Sequence, residues 1–404
     1  MRLARGGDGL AAFAALLVAL LLAGCASGGG ALLADPPVIR ATPPPTPARA
    51  SVPPDPQPIA FPRDDGPHDR LTEWWYYTGH LATADGHRFG FEYVVFRAER
   101  GPLPVTWASH LALTDESGGA FHYAQRSEVG PQVDASPRDA AGVPTGFALA
   151  LAATDASGRP TEAGSAWTMA GSGGQDALRA ALSPAEAAAA GLPGGFGLDL
   201  RLSASRPPVL HRGAGWIDFG PAGGSYYYSR TRLAASGTLT LAGRQLAVSG
   251  SAWFDHQWGD FIAVGAGGWD WFAVNLADGT DLTLSLVRDA GGGYPLVYGT
   301  LTEPDGTTRD LEGADFSVTP IGRWTSPRSG ATYPAGWTVR IPGASLVIDL
   351  RPTVADQELD TRATTGVVYW EGSQVVRATR AGRPMGGQAY VELTGYAQGV
   401  PTNR

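Results

Sequence analysis

The chain has 404 residues and a net charge of −8, its 30 basic residues are all arginine, and no basic run occurs, which excludes a nucleic-acid partner because phosphate binding rests on clustered positive charge. The single cysteine forbids an internal disulfide, and 56 glycines with 32 prolines cut the sequence into short segments.

Met1 to Asp8 carries Arg2 and Arg5, Leu10 to Leu22 is an almost unbroken Leu/Ala/Val run, and Leu22-Ala23-Gly24-Cys25 closes it. Residues 1–25 are thus a signal peptide ending in a lipobox, with Cys25 as the lipidation site. The apolar run falls short of the roughly 20 residues that span a bilayer. Lipid chains on Cys25, buried at about 0.8 kcal/mol per methylene, would hold the protein on a membrane. Ala26, in place of an aspartate, resembles the signal for delivery to the outer membrane, so the body is expected in the cell envelope, facing the periplasm. Residues 26–60, with Pro43-Pro44-Pro45 and Pro53-Pro54, read as a disordered, proline-rich tether.

From Phe61 onward the pattern is strand and hairpin. Trp74-Trp75-Tyr76-Tyr77 runs into Asp85-Gly86, and Phe89, Phe91, Tyr93 and Val95 then alternate at period two, as a half-buried strand requires. Asp-Gly between two such runs predicts a tight hairpin. The design recurs at Trp269-Asp270-Trp271-Phe272, Asp278-Gly279 and Leu282, Leu284, Leu286, which predicts two related β units. Further strands are expected at 146–152, 198–202, 237–241, 298–302, 337–341, 345–350 and 390–396. The one helix is expected over 183–190, where Ser183 caps and Pro184 takes the first helical position. The fold class is all-β, a sandwich or barrel.

Asp255-His256-Gln257-Trp258-Gly259 carries chemistry on a strand, where neighbours point to opposite faces and residues two apart share one. His256 and Trp258 share a face, and Asp255 and Gln257 take the other. An imidazole beside an indole suits an apolar pocket with one proton-handling group, and equally a core histidine satisfied by a backbone carbonyl. Asp270, between Trp269 and Trp271, is either a buried acid with a raised pKa or an exposed strand-edge aspartate. Glu73 shares this ambiguity with a weaker claim. The seven histidines, at 68, 80, 87, 110, 122, 211 and 256, are scattered, so neither a metal nor another cofactor is expected. His80 and His87 flank the Asp85-Gly86 turn as surface hairpin histidines. No Gly-x-Ser-x-Gly elbow occurs.

Thr72-Glu73-Trp74-Trp75-Tyr76-Tyr77, the Trp253 to Gly259 segment, Trp269 to Phe272, Tyr369-Trp370-Glu371-Gly372 and Gly386-Gly387 to Gly395-Tyr396 together resemble the family of carotenoid 1,2-hydratases and AttH-type secreted lipocalin-like proteins. The resemblance spans about Asp64 to Tyr396. It implies two tandem lipocalin-like β-barrel domains, 61–262 and 263–404, able to enclose an apolar ligand. On this reading the protein is a membrane-anchored binder of a lipid or isoprenoid-like molecule that serves ABC-type transporter components. The alternative it implies is a cofactor-independent hydro-lyase that adds water to an isoprenoid double bond. Its candidate catalytic residues are His256, Asp270 and Trp258, and its ligand contacts are Trp74, Trp75, Tyr77, Trp269, Trp271 and Asp255. A purely structural envelope protein is the third reading.

Overall fold

The computed structural model describes residues 54–153, 166–261 and 267–397. Cys25, the expected lipidation site, and most of the expected tether lie outside the described residues. Two large antiparallel sheets carry the chain, and each curls into a lipocalin-like barrel.

The first sheet is built from β1 (Thr72–Ala82), β2 (Arg88–Ala98), β3 (Thr106–Asp115), β4 (Ala120–Val129), β5 (Phe147–Leu151), β6 (Trp167–Ser172), β7 (Gln175–Ala181), β8 (Phe196–Ala204), β9 (Val209–Leu210), β10 (Trp216–Asp218), β11 (Gly224–Leu241) and β12 (Arg244–Gly259). Its order is β4-β3-β2-β1-β12-β11-β8-β7-β6-β5, with β9 and β10 on the flank of β11. The two ends approach where Arg126 donates to the Leu151 carbonyl at 3.2 Å and Ala152 N donates to Glu128 at 3.1 Å. The helix α1 (Pro184–Ala189) has the expected Ser183 cap, completed by a reciprocal bond from the Glu186 side chain.

The second sheet uses β13 (Gly268–Leu276), β14 (Asp281–Arg288), β15 (Leu296–Thr302), β16 (Thr308–Glu312), β17 (Ser317–Pro320), β20 (Trp337–Ile341), β21 (Leu346–Pro352), β22 (Glu358–Asp360), β23 (Val368–Arg380) and β24 (Arg383–Thr394), while β18 (Arg323–Thr325) and β19 (Thr332–Pro334) pair separately. Its order, β16-β15-β14-β13-β24-β23-β21-β20-β17, repeats the logic of the first: a four-strand meander whose first strand pairs with the last strand of the barrel.

The hairpins show how the repeat is made. Ala242-Gly243 and Ala381-Gly382 join the two longest hairpins, β11–β12 and β23–β24, with φ of 48° and 75° in one and 48° and 78° in the other. These are the two-residue turns whose twist matches that of the strands. The Asp85-Gly86 turn is wider than expected: Thr83 N bonds the His87 carbonyl and only Gly86, at φ 88°, takes the left-handed region.

Strand parity decides what each barrel holds. Trp75 and Tyr77 on β1, Phe91 and Tyr93 on β2, and Phe254, His256 and Trp258 on β12 turn into the first barrel. Trp74, Tyr76, Val94 and Trp253 turn outward from the same strands and meet Trp271, Ala273 and Tyr390 of the second barrel. Phe272, Leu284, Trp337, Ile348 and Trp370 fill the second interior. Each such side chain, fully buried, contributes about 1.5–3 kcal/mol. His80 is buried between the barrels, with Nδ1 3.0 Å from Glu116 and Nε2 bonded to the Ala389 carbonyl, so it is no surface hairpin histidine.

Candidate functional site

The chain enters the first barrel by crossing its end. Residues 54–71 form a strap, part of which the sequence assigns to the tether. Arg70 grips Asp55 with both guanidinium nitrogens, at 2.6 and 2.7 Å, and reaches Asp260 at 2.8 Å. The Tyr226 hydroxyl donates to Asp55 and accepts from Gln57 N. Deeper in, the buried Asp65 accepts from Tyr228 at 2.7 Å, Arg230 at 2.9 Å and Gly173 N at 2.7 Å, and its carbonyl accepts from the Trp75 indole. These bonds fix the next residues, Asp64 and His68, against the barrel wall.

His68, Glu73 and His256 meet there. Glu73 Oε1 lies 2.7 Å from His68 Nδ1 and 2.9 Å from His256 Nε2, and Glu73 Oε2 accepts from His68 N at 3.0 Å. The outer nitrogens are also engaged: His68 Nε2 is 3.2 Å from Asp64 Oδ1, and His256 Nδ1 is 3.1 Å from the Asp64 carbonyl. His256 is therefore bonded to a backbone carbonyl and to a carboxylate at once. The register explains the meeting, since Trp75 lies opposite His256 and Glu73 opposite Trp258, so Glu73 shares a face and a diagonal with His256.

Two rings clamp the group. Trp258 stacks on His68 with centroids 4.1 Å apart and planes within 1°, and Trp75 stacks on His256 at 4.7 Å. Beside them opens a cavity of ≈ 520 Å³ whose walls include Pro58, Pro67, Pro144, Tyr226 and Trp258, with Gln57, Arg63, Asp64, His68, Asp69 and Arg70 as its polar lining. The His68 side chain keeps 18 % exposure while those of Glu73 and His256 have none, so His68 presents the group to the cavity.

The charges are mutually set. Burial works to raise Glu73, but the His68 charge and bonds from both imidazoles hold it down at about 2. Burial likewise works to raise Asp64, which His68 and the two-point grip of Arg63 hold well below the usual carboxylate range. Burial would lower His68, and the two carboxylates outweigh it and raise its pKa; His256 is lowered by burial, which Glu73 only partly opposes. The three atoms His68 Nδ1, Glu73 Oε1 and His256 Nε2 all lie within 4.8 Å of one another, a donor set able to hold a metal ion.

The other residues singled out in the sequence fall in three places. Trp75, Tyr77, His256 and Trp258 are in the first barrel. Trp74, Trp269 and Trp271 pack in the layer between the barrels, where Asp255 accepts from Tyr227, Ser229 and the Trp253 indole. Burial raises Asp255 to about 7, against those donors. Asp270 is in the second barrel, 3.3 Å from Arg288 and bonded by Tyr396 at 3.0 Å, and burial raises it to about 6. Among the described residues it shares no hydrogen-bond or ion-pair partner with His256. Glu73-Trp74-Trp75 and Asp270-Trp271-Phe272 have the same pattern of inward acid, outward tryptophan and inward ring, so Asp270 is the second barrel's counterpart of Glu73. His68 and Asp64 were not legible as partners of His256, because nothing in Pro67-His68-Asp69 shows that the segment folds across a barrel end.

The AttH-like family model matches residues 52–396. The chain belongs to the AttH-like family. This AttH-like protein is similar to the crystal structure of a protein from Nitrosomonas europaea (NE1406) assigned as an AttH, at 30 % identity and a TM-score of 0.66, over 86 % of this chain and 99 % of that one. Its fold is shared with kievitone hydratase from Nectria haematococca, at 18 % identity and a TM-score of 0.61, over 83 % of this chain and 93 % of that one. No curated protein matches the AttH-like sequence.

Proposed function

We propose that this AttH-like protein binds an apolar small molecule in the mouth of its first barrel and adds water to it, or removes water from it, at a carbon–carbon double bond. The observation that carries this reading is that His68, which lines a cavity walled in part by Pro58, Pro67, Pro144, Tyr226 and Trp258, is bonded through Glu73 to the buried His256. A carrier of apolar molecules needs apolar walls and any polar anchor. Burying two imidazoles and two carboxylates costs free energy that a carrier has no use for, whereas hydration needs a proton and a water held against one carbon. Trp258 and Tyr226 line the cavity with aromatic surface against which an apolar substrate can pack. Glu73, rather than Asp270, is the carboxylate beside His256 in this scheme.

The fold shared with kievitone hydratase and the resemblance to carotenoid 1,2-hydratases support the same reaction class. Lipidation at Cys25, with the body facing the periplasm from the outer membrane and serving ABC-type transporter components, belongs to this proposal and rests on the sequence. The apolar cavity walls favour a second reading, in which the protein only holds the ligand for such a transporter.

The test is incubation of the full chain with isoprenoid alkenes in oxygen-18 water. Label in the product, lost in His68→Ala and His256→Ala variants that still bind the alkene, is the expected result. Stoichiometric binding with no label in any product would leave the carrier reading and end the hydratase one.

A further inference from the structure

The bonding pattern around His68 and His256 constrains where their protons sit. His256 Nδ1 faces the Asp64 carbonyl, which can only accept, so that nitrogen carries a hydrogen. Asp64 is gripped at both oxygens by Arg63 and also accepts from Ala60 N, which makes it an ionised acceptor, so His68 Nε2 carries a hydrogen as well. With both outer nitrogens committed as donors, the neutral rings turn lone pairs inward from His68 Nδ1 and His256 Nε2. Both lone pairs point at Glu73 Oε1, itself an acceptor. Glu73 Oε2 is already engaged by His68 N.

Three acceptors facing one another repel unless something positive lies between them. Without a metal, protons on the rings take that place, the His68 charge described above among them, at the cost of imidazolium in a largely buried cluster, and a cation that binds there displaces them. One divalent cation satisfies all three at once and leaves both rings neutral. An imidazole oriented through its outer N–H by a carboxylate or a backbone carbonyl is the usual arrangement around a bound metal, and both forms occur here.

We propose that His68, Glu73 and His256 bind a first-row divalent cation, zinc or iron in character, with the cavity side of the ion left to water. Two imidazoles and one carboxylate suit such ions, which prefer mixed nitrogen and oxygen ligands. Two ligands at about 2.0–2.1 Å on a tetrahedral ion are about 3.3 Å apart. The two separations at Glu73 Oε1, 2.7 and 2.9 Å, must therefore open slightly. Rotation of the Glu73 carboxylate supplies that. His68 stands at the cavity, so the open positions face the substrate side. An ion there supplies a bound water that loses its proton more readily than bulk water does. The inference deepens the water-adding reading of this site, yet binding itself does not depend on it.

The experiment uses the full chain stripped with a chelator and titrated with zinc(II) by calorimetry, and with cobalt(II) by visible absorption. About one ion per chain is expected, with cobalt d–d bands of nitrogen and oxygen ligation. His68→Ala and Glu73→Gln should abolish the bands, Asp64→Asn should weaken binding about 10- to 100-fold, and Asp270→Asn should change nothing. Circular dichroism checks each variant, and His68, on the strap, is the substitution the barrel tolerates best. A folded, stripped protein that takes up neither metal would overturn the proposal, as would unchanged bands in folded His68→Ala. Stripped protein that still adds labelled water would overturn the part of the proposal that gives the ion's bound water to the reaction, while leaving the hydratase reading standing.

Discussion

Substitution of Glu92 by glutamine probes the acid layer sealed between the barrels. Glu92, Glu371 and Asp255 are buried there and Glu392 is half-buried, and the four accept from Tyr369, Tyr76, Tyr227 and the Trp269 indole respectively. Among the described residues none of the four pairs with an arginine. Burial raises Glu92 to about 8 from the usual 4.5, against the Tyr369 bond and with help from the charge of Glu392; Glu392 itself rises to about 7, and burial raises Glu371 well above the usual carboxylate range. A carboxyl raised by folding keeps its proton in the native state after the unfolded chain has lost it. Its stabilising contribution is complete below the unfolded pKa and is lost as pH rises through the folded one. Each such group makes stability fall by about 1.4 kcal/mol per pH unit across that window. For Glu92 alone, going from about pH 5.5 to about pH 8 removes roughly 3 kcal/mol, a large share of the usual 5–15 kcal/mol. Urea unfolding across this range should show the wild type weakening steeply with pH and Glu92→Gln weakening by about 1.4 kcal/mol per unit less. Parallel profiles for the two proteins would refute the argument.

Asp65→Ala leaves Arg230 buried without its partner at 2.9 Å and should cost about 3–5 kcal/mol, read from the urea midpoint, with Asp65→Asn milder. Trp258→Ala opens the cavity wall and unstacks His68, which should cost about 3–5 kcal/mol and reduce binding of apolar fluorescent probes, whereas Trp271→Ala should destabilise without altering probe binding. Asp55→Ala removes one of the two acids that hold Arg70, and limited proteolysis should then cut before Thr72 while the far-ultraviolet circular dichroism of the barrels is retained.

The sequence shows much of the fold and less of the site. Period-two runs mark strands directly, and the paired tryptophan hairpins give the duplication, because both signals are local. The meander strands β3 and β4 escape notice because β3 is buried along nearly its whole length and β4 is half-exposed, so neither alternates cleanly. The face shared by His256 and Trp258 follows from parity alone. What parity cannot give is which acid meets His256. Asp270 is nearer in sequence and equally flanked by tryptophans, but it belongs to the other barrel, while Glu73 arrives through the β1–β12 register. Asp64 and His68 arrive through the strap, a long-range docking with no periodic signature. Packing of the outward tryptophans Trp74 and Trp271 between barrels, rather than around a ligand, likewise depends on a partner surface that one strand does not reveal.

The strap has an evolutionary consequence. Asp64 and His68 come from 18 residues, 54–71, that lie outside both sheets, whereas Glu73 and His256 belong to strands held by neighbours on either side. A short leading segment can therefore be exchanged or rewritten without disturbing the register of a single strand. Paralogues can keep the same barrel wall and change the strap that faces it, so long as Asp65 stays to pair with Arg230, and chemical variety in such a scaffold can then be held in a segment outside the sheets.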